Sequence, residues 1–306
     1  MPARGMSHCC AALLPLPIKS STKPYMTKSF PKTDLVRLLA LPAPMRLLAL
    51  LAAFRFLTVS DLTVVGIDNG EVEAAEAVRS ILRFQLQRRM TDPAPTQVLA
   101  LSRAGALELA RAMDVEPGTL PHSTRSNSSR SVMFLDHTLA RNGFALSLAG
   151  MKCERDGSPI LLSWEHDRDR LADSVAMMAN TSQFCRQPLE ADGFAVCHGP
   201  RGIEGLLVEV DRSTEPVGYL GRKYAGYLEW WRQGGHARRF DVDTVRILTV
   251  APDEKRTARL RAACLESTHG KAGGLFWFGA EDAVAKHGIM APIWSTAKVE
   301  RLPLWT

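Results

Sequence analysis

No two cysteines in this 306-residue chain are spaced Cys-x-x-Cys; the six are scattered at Cys9, Cys10, Cys153, Cys185, Cys197 and Cys264. That pattern has neither a paired zinc spacing nor the density of a small disulfide scaffold. It points to unpaired, mostly buried thiols in a reducing compartment. There is no GxxxxGK[ST] loop, which argues against P-loop ATP hydrolysis, and no GxSxG elbow or Cys/His nucleophile signature. Nor is there a clean apolar run long enough for a lipid span. Arg37, Arg46 and Arg55, with Pro42 and Pro44, interrupt residues 35–57, and Pro15 and Pro17 break the short run before them. A cytoplasmic protein with no membrane partner is expected.

What the chain has is the composition of a globular protein, 46% hydrophobic and 23% charged, with a formal net charge of +6 placed unevenly. Residues 1–44 carry six Lys/Arg against one acid, residues 45–113 eight against seven, and residues 114–306 twenty-four of each. Residues 1–44 read as a disordered basic arm, compatible with nucleic acid. Residues 114–131, "DVEPGTLPHSTRSNSSRS", are rich in Pro, Ser and Gly and poor in large apolar residues, as a linker is. Two domains are expected, 45–113 and 132–306.

In the first domain, residues 45–56 have helical apolar spacing, and Thr58 or Ser60 caps a second helix with Asp61 in its first turn. The stretch "VEAAEAVRSILRFQLQRR" reads as a third helix with Val78, Ile81, Leu82 and Leu86 inward. Pro93 and Pro95 turn a short hairpin, Gln97 to Leu101 return as a strand, and residues 103–113 close as a helix. That is the plan of a winged helix-turn-helix. The third helix would then read double-stranded DNA. Arg79, Arg83 and Gln87 fall at i, i+4, i+8, and Arg88 and Arg89 end it. Glu71, Glu73 and Glu76 in its first turns oppose phosphate, so a protein-binding winged helix is the competing reading.

The second domain reads as helix, strand, strand, strand, helix, strand, helix, with a last strand near residues 274–279. In "GLLVEVDRSTEP", Glu209 and Asp211 share a face with Leu207, while Val208 and Val210 take the other. A neighbouring strand brings Asp192 beside them. Three carboxylates, Asp192, Glu209 and Asp211, at strand ends make an oxygen-rich pocket suited to Mg or Mn, which would activate water for phosphodiester cleavage. The competing reading is that these acids cap helices and form structural ion pairs.

The strand order, with an Asp on the second strand and Glu-x-x on the third, resembles the restriction-endonuclease-like, PD-(D/E)xK fold. The fold class is therefore α/β (α+β): a winged helix followed by a mixed-sheet domain of that kind. Two positions depart from the pattern. Ala191 stands where Pro is usual, and Asp211 stands where Lys would orient the attacking water. Lys223, inside the following helix, could swing back as a migrated lysine and is the fourth catalytic candidate.

The segments "FLDHTLARNGFALSL", "ADGFAV" and "LLVEVDRSTEPVGYLGRKYAGYLEWW" resemble the replication-relaxation family of plasmids and other mobile elements. Most of the specificity lies in Glu209, Asp211, Arg212, Thr214 and Glu215 and in Arg222, Lys223 and Tyr227. The resemblance implies a DNA-binding accessory in replication or relaxation, with replication or relaxosome proteins as partners. Without a lysine at 211 a non-catalytic, DNA-holding site is favoured. A Mg-dependent endonuclease and a winged-helix regulator are the alternatives. No His-x-His cluster stands here for a rolling-circle relaxase centre. The stripe Leu220, Tyr224, Tyr227, Trp231 reads as core, Trp230 as exposed, and "GHARRF" as a solvated loop or phosphate contact.

Overall fold

The structure is a computed structural model. It describes residues 34–87, 94–122, 131–152, 160–178, 184–200, 202–271 and 273–305. Asp34 accepts from the Arg37 amide to start α1 (Leu35–Leu39), and Pro42 at the N-cap with Pro44 in the first turn starts α2 (Ala43–Phe54). Leu35 and Leu38 are buried. The expected disorder up to residue 44 is thereby corrected for residues 34–44, because their leucines complete the core; residues 1–33 lie outside the described residues.

β1 (Leu57–Thr58) leads into α3 (Val59–Val64), where Thr58 and Asp61 form a reciprocal capping box. Asp68 and Glu71 form a second box at the start of α4 (Asn69–Ala77). The third helix stops there, well short of residue 89. Val78 caps it, Arg79 turns the chain at φ 60°, and β2 (Ile81–Leu86) follows. From Leu82 to Leu86 inner and outer residues alternate, which is the two-residue period of a strand. The sequence reading imposed a helical period on this segment. Val78, expected inward, is 67% exposed. Arg79, Arg83 and Gln87 therefore do not share a helix face, and Arg88 and Arg89 lie outside the described residues.

β2 forms an antiparallel hairpin with β3 (Thr96–Leu101), and the small sheet runs β1-β3-β2. Ser102 caps α5 (Arg103–Met113). A single 3-10 turn, Pro117–Thr119, precedes the buried Leu120; residues 123–130 of the expected linker lie outside the described residues.

The second half begins with α6 (Val132–Ala149), capped by Ser131, and β4 (Leu161–Glu165). A short helix α7 (Arg168–Leu171) precedes a two-stranded hairpin, β5 (Asp173–Met178) and β6 (Phe184–Leu189), which the sequence reading missed. Then come β7 (Gly193–Gly199), β8 (Gly202–Val210), α8 (Val217–Arg232), α9 (Gly235–Phe240), β9 (Val245–Ala251) and α10 (Glu254–Ser267). β10 (Phe276–Ala280), α11 (Glu281–His287) and β11 (Ser295–Thr296) close the chain.

The large sheet runs β11-β10-β9-β8-β7-β4. The β8–β9 and β9–β10 pairs are parallel and the others antiparallel, so the fold is mixed α/β. One apolar cluster joins Leu206, Val208 and Val210 to α2 and α6, running from Leu35 to Trp305. On the other face Leu207 packs with Leu220, Tyr224 and Tyr227 of α8 and Leu260 of α10. The two tryptophans of α8 exchange their expected places. Trp230 is buried, its Nε1 donating to Asp173 Oδ2 at 2.8 Å, and Trp231 is 40% exposed. Gly235 explains the choice: a Cβ there would lie 2.2 Å from Trp230 Nε1, so only a bare backbone lets this indole in.

Candidate functional site

β7 and β8 pair with Gly193 opposite Val208, which sets Asp192 across from Glu209 at one end of the sheet. The Asp192 amide donates to Val208 O at 3.0 Å, and Asp192 Oδ2 accepts from the Val210 amide at 2.7 Å. The glycine after Asp192 is required by packing: a Cβ on Gly193 would come within 2.2 Å of the Trp164 ring. Asp192 is thus fixed by backbone on both sides. Its Oδ1 faces His137 Nε2 of α6 at 3.1 Å.

Glu209 is buried against α8, whose side chains take both its oxygens. Lys223 Nζ donates to Oε2 at 2.6 Å, and the Tyr227 hydroxyl donates to Oε1. Positions 223 and 227 are one helical turn apart, so one face of α8 presents both donors. Tyr224, at the next position round, meets Thr249 Oγ1 at 3.2 Å instead.

Asp211, two residues on, has a different partner. Arg256 of α10 grips it with Nε at 2.7 Å and Nη2 at 2.9 Å, and the same Nη2 donates to Glu215 O at 2.7 Å. Arg212 turns to the opposite face, where Nε donates to Asp136 Oδ2 at 2.7 Å and Nη1 to Glu281. Glu165 and Asp167 both serve the turn into α7. Glu165 accepts from the amides of His166 and Asp167, and Asp167 caps α7. "GHARRF" is structural at its last arginine, since Arg239 donates to the carbonyls of Asp169, Arg170 and Ala172.

These contacts set the charge states. Burial pushes the Glu209 carboxyl up to about 7, with Asp192 adding to the rise while Lys223 and Tyr227 hold it back. Burial also acts against the Lys223 charge, yet Glu209 and Asp192 outweigh it and raise the ammonium above its ordinary value. Burial would lift Asp192, but the hydrogen bond and charge of His137 hold it below the usual carboxylate range. The hydrogen bond to Asp192 in turn raises His137. Tyr227 is raised by burial and by Glu209, so it stays a hydroxyl donor.

Asp192, Glu209, Asp211 and Lys223, the four expected catalytic residues, line one cleft of about 360 Å³ together with His137 and Arg212. Position 211, where a lysine was wanted, holds an acid in an ion pair, while the lysine arrives from α8. The expected metal ligands do not fit an ion as they stand. Every oxygen of Glu209 and Asp211 accepts from a protein donor, Asp192 is held by Val210 and His137, and among the described residues no group of three His, Cys, Asp or Glu could hold a metal. Arg256 and the liganding role of Tyr227 escaped the sequence reading. Arg256 meets Asp211 from 45 residues away, and no local spacing signals that.

The expected DNA-reading residues that are described lie away from this cleft, and Arg83 is engaged by neighbours on α4 and β3. Arg83 forks onto Glu76 with Nε and Nη2, both at 2.7 Å, and Nη1 reaches Gln97 at 2.8 Å. The Glu76 hydrogen bond raises the Arg83 guanidinium further. Arg79 offers its carbonyl to Ser102 Oγ at 2.7 Å.

Among the described residues no helix is long and apolar enough to cross a membrane. No curated protein and no solved structure matches the chain. Residues 48–245, more than half of the chain and including His137, Asp192, Glu209, Asp211 and Lys223 of the cleft, match the family described as replication-relaxation. The chain belongs to the replication-relaxation family.

Proposed function

We propose that this protein is a DNA-binding accessory of plasmid or mobile-element replication or relaxation, whose nuclease-like cleft holds rather than cuts. The observation that carries the reading is the state of Glu209. Both oxygens are taken by Lys223 and Tyr227, so the residue that a PD-(D/E)xK nuclease would turn to a metal is locked into the fold. What supports duplex docking is the element order α2-β1-α3-α4-β2-β3 of residues 43–113 with the sheet β1-β3-β2, read here as a winged helix. In it α4 takes the place of the recognition helix. Glu71, Glu73 and Glu76 make α4 poor at approaching phosphate, so the contacts with duplex DNA fall on the β2–β3 hairpin and on cations outside this helix.

Titrating a labelled duplex with the full chain over a range of salt tests this. Affinity should fall linearly in log–log form with salt, as counterion release requires. Absence of binding at low salt would end the reading. A second reading, a Mg- or Mn-dependent endonuclease, is favoured by one observation: Lys223 reaches Glu209 beside Asp192, where the missing lysine of the pattern would act. It needs Glu209 to be freed from its present donors.

A further inference from the structure

We infer that the end of α8 and the turn into α9 form a stacking platform for single-stranded nucleic acid. An unpaired base lies on the Trp231 indole, and its flanking phosphates meet Arg232 and Arg238. The inference does not rest on duplex docking by residues 43–113. From Trp231 to Phe240, "WRQGGHARRF" holds three arginines and no acid. Trp231 continues the stripe of Leu220, Tyr224 and Tyr227, yet it is 40% exposed while they are buried. Its neighbour Trp230 already fills the slot over Gly235, so that packing does not need a second indole.

The exposed ring is backed on one side. His236 stacks on Trp231 with ring centroids 6.4 Å apart and planes 22° from parallel, and it meets Trp230 edge-on at 6.2 Å. Its buried Nδ1 has no hydrogen-bond partner among the described residues, so the two indoles are what hold the imidazole flat. Cations edge the platform. Arg238 Nη1 donates to the carbonyl of Gln233, the C-cap of α8, which anchors its charge at the end of the helix that carries Trp231. Arg232 follows Trp231 directly. Its ion-pair partner is Glu229, only at 3.8 Å, and Glu229 also accepts from Gln233 Nε2 at 2.9 Å. An exposed pair of that kind contributes little and leaves the guanidinium accessible to phosphate. A flat aromatic face edged by guanidiniums matches a base edged by backbone charge. A duplex hides its base faces, so the fitting ligand is an unpaired strand. The platform lies about 12 Å along α8 from Lys223, apart from the cleft.

The test titrates labelled oligothymidylate, and separately a labelled duplex, with the full chain as wild type, Trp231→Leu, Trp231→Phe and Arg232→Gln. Leucine keeps an apolar contact with His236 but has no face on which a base stacks. Trp231→Leu should weaken oligothymidylate binding roughly five- to a hundredfold, and more than it weakens duplex binding. Trp231→Phe should recover most of that loss. Arg232→Gln should lower the slope of log affinity against log salt for the single strand by about 0.7. Thermal unfolding of each variant separates binding from stability. The platform is overturned if wild type does not bind oligothymidylate at low salt, if Trp231→Leu binds it as wild type does, or if the variants weaken only as their Tm falls. Lost self-association in Trp231→Leu with unchanged oligothymidylate binding would assign the surface to a second copy of the chain and also overturn it. If the oligothymidylate effects appear and no duplex binds, the platform stands and the duplex reading falls.

Discussion

Lys223 Nζ lies 2.6 Å from Glu209 Oε2, although fourteen residues separate the two in sequence. The strand supplies an acid where a nuclease pattern places lysine, and the helix after it returns a lysine to the same cleft. Burial makes this pair interdependent: Glu209 is lifted to about 7 by desolvation, and Lys223 is what keeps it from rising further.

Lys223→Met should therefore raise the Glu209 pKa, and Asp192→Asn, which removes a like charge, should lower it. Carbon-detected NMR titration of the glutamate carboxyls reads both shifts. Movement in the opposite sense would contradict the assignment of causes.

The His137–Asp192 pair should stabilise the fold over a bounded pH window. His137 is raised, so its contribution is complete below the ordinary histidine value and is lost as pH rises through the raised one. Asp192 is lowered, so its contribution is complete above the ordinary carboxylate value and is lost as pH falls through the lowered one. Denaturant unfolding of wild type and Asp192→Asn across pH should give a stability difference that is largest between those limits and shrinks on both sides. A difference independent of pH would count against the pair.

Arg256→Leu strands the Asp211 carboxylate, whose side chain is 4% exposed, and should destabilise by roughly 3–5 kcal/mol. Replacing both partners with leucine should recover much of that loss, because no unpaired charge remains. Urea midpoints of the single and double variants decide this; equal losses in both would show that Arg256 works by packing.

Glu76 neutralises Arg83 on the hairpin face. Glu76→Gln should release that arginine and strengthen duplex binding several-fold at low salt, as anisotropy would show. Unchanged affinity would place the DNA contact away from β2.

The α/β order of the second half was legible because its strands and helices carry strong, different periods, and β8 alternates as read: Leu207 and Glu209 face α8 while Val208 and Val210 face α6. Asp192, Glu209 and Asp211 could be gathered from strand-end logic, Lys223 only as a lysine displaced into the next helix, and one cleft collects all four. The supposed recognition helix failed where "RSILRF" follows a helical run without a proline or glycine. The signals were the two-residue alternation from Leu82 and a left-handed Arg79, and only the first is visible in sequence. Trp230 and Trp231 could not be ordered without knowing that Gly235 leaves a slot for one indole. Arg256 depends on a partner brought from 45 residues away, beyond any local spacing.

The claim that the cleft holds rather than cuts is tested most directly by incubating supercoiled plasmid with the full chain and Mg or Mn, beside Glu209→Gln. The account predicts that both proteins bind the plasmid and leave it supercoiled. Nicking by wild type that disappears in Glu209→Gln would contradict it and make this a metal-dependent endonuclease.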